Sequence, residues 1–137
     1  MKIVIIDRYP ILRRGLSLFL SDHFSDLVTI ECSCKEELKL HSSSTNIALI
    51  IIALNQSFDL NDIDEINGAS KWCPTAKMVG YLERLNTSII ESYVTAGLSG
   101  YYSKQDNLED FASYLSKILT AEKVTNAVPY ETVEKVT

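Results

Sequence analysis

The stretch IIIALNQS, Ile50 to Ser57, begins as an unbroken apolar run and then breaks into Asn55, Gln56 and Ser57. A short apolar run closed by turn-forming polar residues reads as a strand buried on both faces, the kind found at the centre of a parallel sheet. Extended back along the chain, it predicts a strand over Ala48 to Ala53. In open α/β sheets the carboxyl ends of such strands are where ligands and reactive groups sit. The residue standing there is Ala53, whose side chain is a methyl group.

Strand-like and helix-like segments alternate on either side of this run. KIVII, Lys2 to Ile6, predicts a first strand, followed by a helix from about Tyr9 to His23 with Pro10 in its first turn. In that helix Ile11, Leu12, Leu16, Leu18, Phe19 and Leu20 form a broad apolar stripe expected to face the core. LVTIECS predicts a second strand leading into a short helix around Glu36, Glu37 and Leu38, and Ser42 to Ser44 read as a loop. After the Ala48 strand come a helix around Asn61 to Trp72, with Asn61 as N-cap, and a strand over Ala76 to Leu82. A helix over Thr87 to Ala96 stopped by Gly97, a strand SGYYS and a helix over about Leu108 to Ala121 complete the series. Five strands alternating with five helices predict an α/β fold: a doubly wound parallel sheet of order 2-1-3-4-5 with helices on both faces. Residues 1–121 are expected to form one domain, and 122–137, poor in apolar anchors, the start of a linker or tail.

Composition narrows the function classes. A chain of 137 residues with 46% hydrophobic content can bury one ordinary core. No apolar run approaches the roughly 20 residues needed to cross a bilayer, and the first residues carry a strand pattern rather than a signal sequence, so a cytoplasmic protein without membrane contact is expected. A net charge of −5 speaks against direct nucleic-acid binding by this domain, because phosphate-backbone affinity comes from clustered Lys and Arg. Cys32, Cys34 and Cys73 are too few and too scattered for a disulfide framework or a zinc site and are expected to be ordinary thiols.

At the strand ends the sequence places Asp7 and Arg8, Ala53, Leu82 and Glu83, and Lys104. The run VIIDRYPILRRGL resembles the opening of a response-regulator receiver domain, especially of the NarL/LuxR-type transcription factors. The run AGLSGYYSKQ resembles the same family's Ala-Gly, Gly-Tyr and Lys pattern. The resemblance spans roughly residues 1–121 and implies the flavodoxin-like (CheY-like) fold.

Carried over residue by residue, the resemblance implies a degenerate phosphorylation pocket. Asp7 matches the first acidic residue, while Arg8 stands where the second, metal-coordinating carboxylate belongs. Ala53 stands in place of the phosphoacceptor aspartate, with LNQS after it similar to the usual Leu-Asn-Met-Pro. Leu82 takes the place of the Thr or Ser hydroxyl, with a one-residue shift to Tyr81 open. Lys104 and Tyr101 match the family's lysine and switch aromatic.

The residue chemistry points the same way. Transfer of a phosphoryl group needs a nucleophilic oxygen, and Ala53 has none. A divalent ion ~5 Å from an inward-facing Arg8 guanidinium would feel ~7 kcal/mol of repulsion at an effective dielectric near 20, against about 4 kcal/mol from a millimolar site. Magnesium binding is therefore expected to be lost unless Arg8 turns to solvent, and both placements of Arg8 stay open. Asp7 and Lys104 are expected to pair across the crevice, with Glu83 also in reach of the lysine. Asp59, Asp62 and Asp64 read as a solvated helix start favoured by the dipole. His23 reads as a helix C-terminal residue and His41 as a loop residue, and of Tyr101 and Tyr102 one should be core and one surface.

The expected function is therefore that of a non-enzymatic, phosphorylation-independent pseudo-receiver. It would serve a two-component-type transcriptional regulator as a dimerisation or protein-docking module. The resemblance implies a homodimer, a possible partner protein, and a helix-turn-helix DNA-binding domain beyond Thr137 in a longer protein. Alternatives are a phosphoacceptor using an unusual residue, a flavodoxin-like ligand binder and a stand-alone scaffold. Against the ligand binder, the loop after the first strand lacks a glycine-rich phosphate cradle.

Overall fold

The computed structural model describes residues 1–41, 46–54, 60–83, 87–105 and 107–120. The strands are β1 (Lys2–Ile6), β2 (Val28–Cys32), β3 (Ile47–Leu54), β4 (Lys77–Leu82) and β5 (Gly100–Ser103). The helices are α1 (Pro10–His23), α2 (Lys35–Leu38), α3 (Leu60–Trp72), α4 (Thr87–Ala96) and α5 (Leu108–Thr120), with a single 3-10 turn over Lys39–His41. All pairings are parallel and the order is β2-β1-β3-β4-β5, as the alternation predicts. The expected linker beyond 121, the serine loop and Asp59 lie outside the described residues.

β3 sits at the centre because it is the most apolar strand and is covered twice. Its Leu49 and Ile51 point to one face, where they meet Leu20 of α1 and Phe111, Leu115 and Ile118 of α5. Ile50, Ile52 and Leu54 point to the other, against Leu38 of α2, Ile66 of α3, and Ile90 and Tyr93 of α4. The period of two in the strand thus divides one apolar run between two cores.

Helix boundaries follow local chemistry. Pro10 opens α1, where its missing N–H costs nothing. α4 ends at Gly97, whose φ of +138° suits glycine alone, with its N–H and that of Leu98 both donating to the Tyr93 carbonyl. α3 begins one residue before the expected N-cap, so Asn61 lies inside its first turn. The helix-opening acidic residues are also not uniformly solvated. Asp62 is 5% exposed and accepts a hydrogen bond from the Tyr93 hydroxyl at 3.1 Å, tying α3 to α4, while Asp64 is exposed and pairs with Lys35.

Two expectations about burial are corrected. Tyr101 and Tyr102 are both buried, because β5 is an edge strand but has α4 over one face and α5 over the other. The apolar residues of α1 do not all turn inward: Ile11 is 81% exposed, Leu12 49% and Leu18 61%, and the helix's buried residues are Ser17 and Leu20. Ile11 and Leu18 are two turns apart and so share the outward side of α1.

Candidate functional site

The crevice lies where β1 and β3 diverge to their helices, at the carboxyl ends of the strands. It encloses about 400 Å³ between the sheet, α1 and the start of α5. Its floor is Ile5, Ile51, Ala53 and Tyr81, its rim is Ile11, Leu12 and Leu108, and its polar groups are Asp7, Glu83 and Lys104.

Each polar group is positioned by backbone chemistry. Asp7 follows β1 directly; its N–H donates to the Cys32 carbonyl at 3.0 Å and its Oδ1 accepts from the Tyr9 N–H at 2.9 Å. That second bond closes the turn that delivers Pro10 to the first position of α1. Arg13 donates to the Asp7 carbonyl at 2.7 Å and stands 3.5 Å from Glu31, clamping the same turn to β2. On the other side, the Lys104 N–H donates to the Leu82 carbonyl at 2.6 Å and the Ser103 hydroxyl to the Glu83 carbonyl at 3.3 Å, so the ends of β4 and β5 are strapped together.

The expected tie between Asp7 and Lys104 is not formed. No ion pair between described residues engages Lys104. Its ammonium instead lies 5.6 Å from the ring centroid of Tyr81, over the aromatic face.

Arg8 takes the outward of its two placements. It is exposed, with its guanidinium carbon 6.0 Å from the Tyr9 ring centroid, and it does not line the crevice. The strong repulsion reckoned for an inward guanidinium therefore does not operate. Among the described lining residues the carboxylates are those of Asp7 and Glu83, and Ala53 contributes a methyl.

Leu82 does not reach the crevice. It is 1% exposed and packs in the opposite core with Tyr101, which is 8% exposed. The β4 side chain in the crevice is Tyr81, which pairs in register with Ala53. Alternation along β4 carries this signal, since Val79, Tyr81 and Glu83 must share a face once Ile51 and Ala53 are set toward α1. The Tyr81 phenol is held above its ordinary pKa by burial and then by the negative charges of Asp7 and Glu83. It is a protonated donor at neutral pH. Its ring meets Phe111 edge-on at 5.0 Å, which fixes it against α5.

The remaining candidates sit apart from the crevice. His23 ends α1 at the surface, its Nδ1 3.1 Å from the Phe19 carbonyl, and His41 ends the 3-10 turn. Cys32, Cys34 and Cys73 are free thiols. The rim residues Ile11, Leu12 and Leu108 were not marked as functional by the sequence, because apolar residues at helical spacing read as core.

No protein-family model matches the chain, and no curated protein does. Solved structures do. A LuxR-family DNA-binding response regulator from Silicibacter pomeroyi superposes with a TM-score of 0.76 at 16% identity, covering 97% of this chain and 98% of that one. The chain has the receiver fold. The isolated receiver domain of RcsB from Salmonella enterica serovar Typhimurium, in the presence of phosphomimetic BeF3⁻, gives 0.76 at 15% identity over 99% and 97%. A longer RcsB chain from Salmonella typhimurium, studied for conformational dynamism in DNA interaction, gives 0.78 at 16% identity; 99% of this chain covers 64% of it. At these identities the likeness establishes the receiver fold, flavodoxin-like and CheY-like, which the sheet order shows independently.

Proposed function

We propose that this chain is a receiver-type module that works without phosphorylation, as the dimerising part of a two-component-type transcriptional regulator with a NarL/LuxR-type DNA-binding domain. One observation carries the reading: one residue before the end of β3 the side chain lining the crevice is the methyl of Ala53, and Lys104 of the same lining has its ammonium 5.6 Å from the Tyr81 ring centroid. Without a nucleophilic oxygen there is no first step to catalyse. Magnesium binding is lost with it, because an octahedral hard cation needs more oxygen ligands than this donor set supplies. The buried Tyr101 packs with Leu82 and so holds one orientation, with no phosphoryl group to signal.

The dimerising part of the proposal draws on α1. Ile11 and Leu18 share its outward side, and Tyr9, just before the helix, is exposed as well. A second copy of the chain, related by a two-fold axis, would cover it.

The test is intact mass after incubation with acetyl phosphate and magnesium. The chain should gain no phosphoryl adduct, and a clean adduct on an aspartate would overturn the reading. Ala53→Asp alone is expected to stay unlabelled, since Arg8 still replaces the second carboxylate and no Ser or Thr stands among the described lining residues; efficient labelling of that variant would show the pocket to be less degenerate than argued.

A further inference from the structure

We propose that the crevice is a binding site for a small apolar carboxylate, with its carboxylate on Lys104 and its hydrocarbon body against Tyr81 between α1 and α5. The volume of about 400 Å³ falls within the ~300–1,000 Å³ of small-molecule sites, and the lining has their character: apolar walls and a few polar groups. The floor is preformed. Ile5 and Ile51 are held in the sheet, 2% and 1% exposed, and the Tyr81 ring is braced by Phe111.

The described lining carries two carboxylates, Asp7 and Glu83, and one ammonium, so the anion is placed by contact with Lys104 and not by the net charge of the crevice. One oxygen of Asp7 accepts the Tyr9 N–H, and Glu83 is exposed to water. Lys104 is the one cation among the described lining residues, half-buried, and no ion pair between described residues engages it. Ala53, which lines the same crevice, ends at its Cβ. An anionic group placed there would gain a charge-assisted hydrogen bond from the ammonium, and the Tyr81 hydroxyl is a second donor at neutral pH. The exposed Ile11, Leu12 and Leu108 at the rim would be covered by the ligand's hydrocarbon. Ile11 belongs also to the proposed dimer face, so binding and self-association are separated with Leu18→Asp.

The experiment is a titration of the isotopically labelled chain with octanoate, octanol and octylamine, read from backbone amide shifts at neutral pH. It is run on the parent chain and on Leu18→Asp, which lies outside the crevice and separates binding from self-association. Octanoate should saturate at one per chain with the largest shifts at Ala53, Tyr81 and Leu108. Lys104→Met, which keeps the apolar stem, should weaken it roughly tenfold, the loss of one hydrogen bond to a charged group. Leu108→Glu, an exposed substitution at the rim that leaves the core alone, should weaken both octanoate and octanol, and octanoate more. Octylamine binding as well as octanoate, an unchanged affinity in Lys104→Met, shifts that never saturate, or no shifts at all would each overturn the proposal.

Discussion

At the residue scale the buried thiols and phenols set the alkaline limit of the fold. Burial, and then the charge of Glu37, push the Cys32 thiol up to about 11 from an ordinary 9.0. Between those values the unfolded chain has lost a proton that the folded chain keeps, so stability is fully present below pH 9 and falls as pH rises toward 11. Tyr114, Tyr101 and Tyr81 are shifted upward by burial as well, and they steepen the decline above pH 10. Chemical denaturation followed from pH 8 to 11 should show this fall, and Cys32→Ala should flatten its first part. Thiol accessibility is a companion test at pH 8: Cys34, which opens α2 and is partly exposed, should react with a thiol reagent well before Cys32 or Cys73, both buried. Ala53 and Lys104 were legible as crevice residues from strand ends alone. The ring beneath Lys104 was not, because choosing Tyr81 over Leu82 takes the register between β3 and β4.

At the scale of elements, two contacts hold the layers in place. Phe111 is wholly buried on α5, 4.4 Å from the Tyr102 ring centroid and 5.0 Å from that of Tyr81. Phe111→Ala should cost about 3–5 kcal/mol in denaturant unfolding, and it should also loosen Tyr81 and with it the crevice floor. On the other face, Tyr93→Phe removes the bond from α4 to Asp62 and should cost about 1–3 kcal/mol in the same measurement. The strands and most helix ends could be read from apolar runs, Pro10 and Gly97. The partition of α1 could not. A stripe of apolar residues looks the same whether it faces a core or a missing partner, and Ile11, Leu12 and Leu18 differ from Leu20 only in where the sheet lies.

At the scale of the whole molecule, the crevice lined by Ala53 lies at the carboxyl ends of the strands, and Ile11 and Leu18 stand exposed on α1. The layers followed from alternation, and an order such as 2-1-3-4-5 is one of the doubly wound arrangements that right-handed crossovers allow; the receiver likeness came from the two sequence runs around Asp7 and Lys104. The exposed face of α1 did not follow, because sequence periodicity counts apolar positions and not the area left after packing. Ile11→Asp and Leu18→Asp place charges on the outward side of α1 and should leave stability within about 0.5 kcal/mol while dissociating the proposed dimer. The most direct measurement is sedimentation equilibrium of the purified chain over a wide concentration range, without phosphodonor or metal, alongside Leu18→Asp. The account predicts a dimer for the parent chain and a monomer for the variant. A parent chain that stays monomeric at every concentration, or a dimer unaffected by Leu18→Asp, would contradict it.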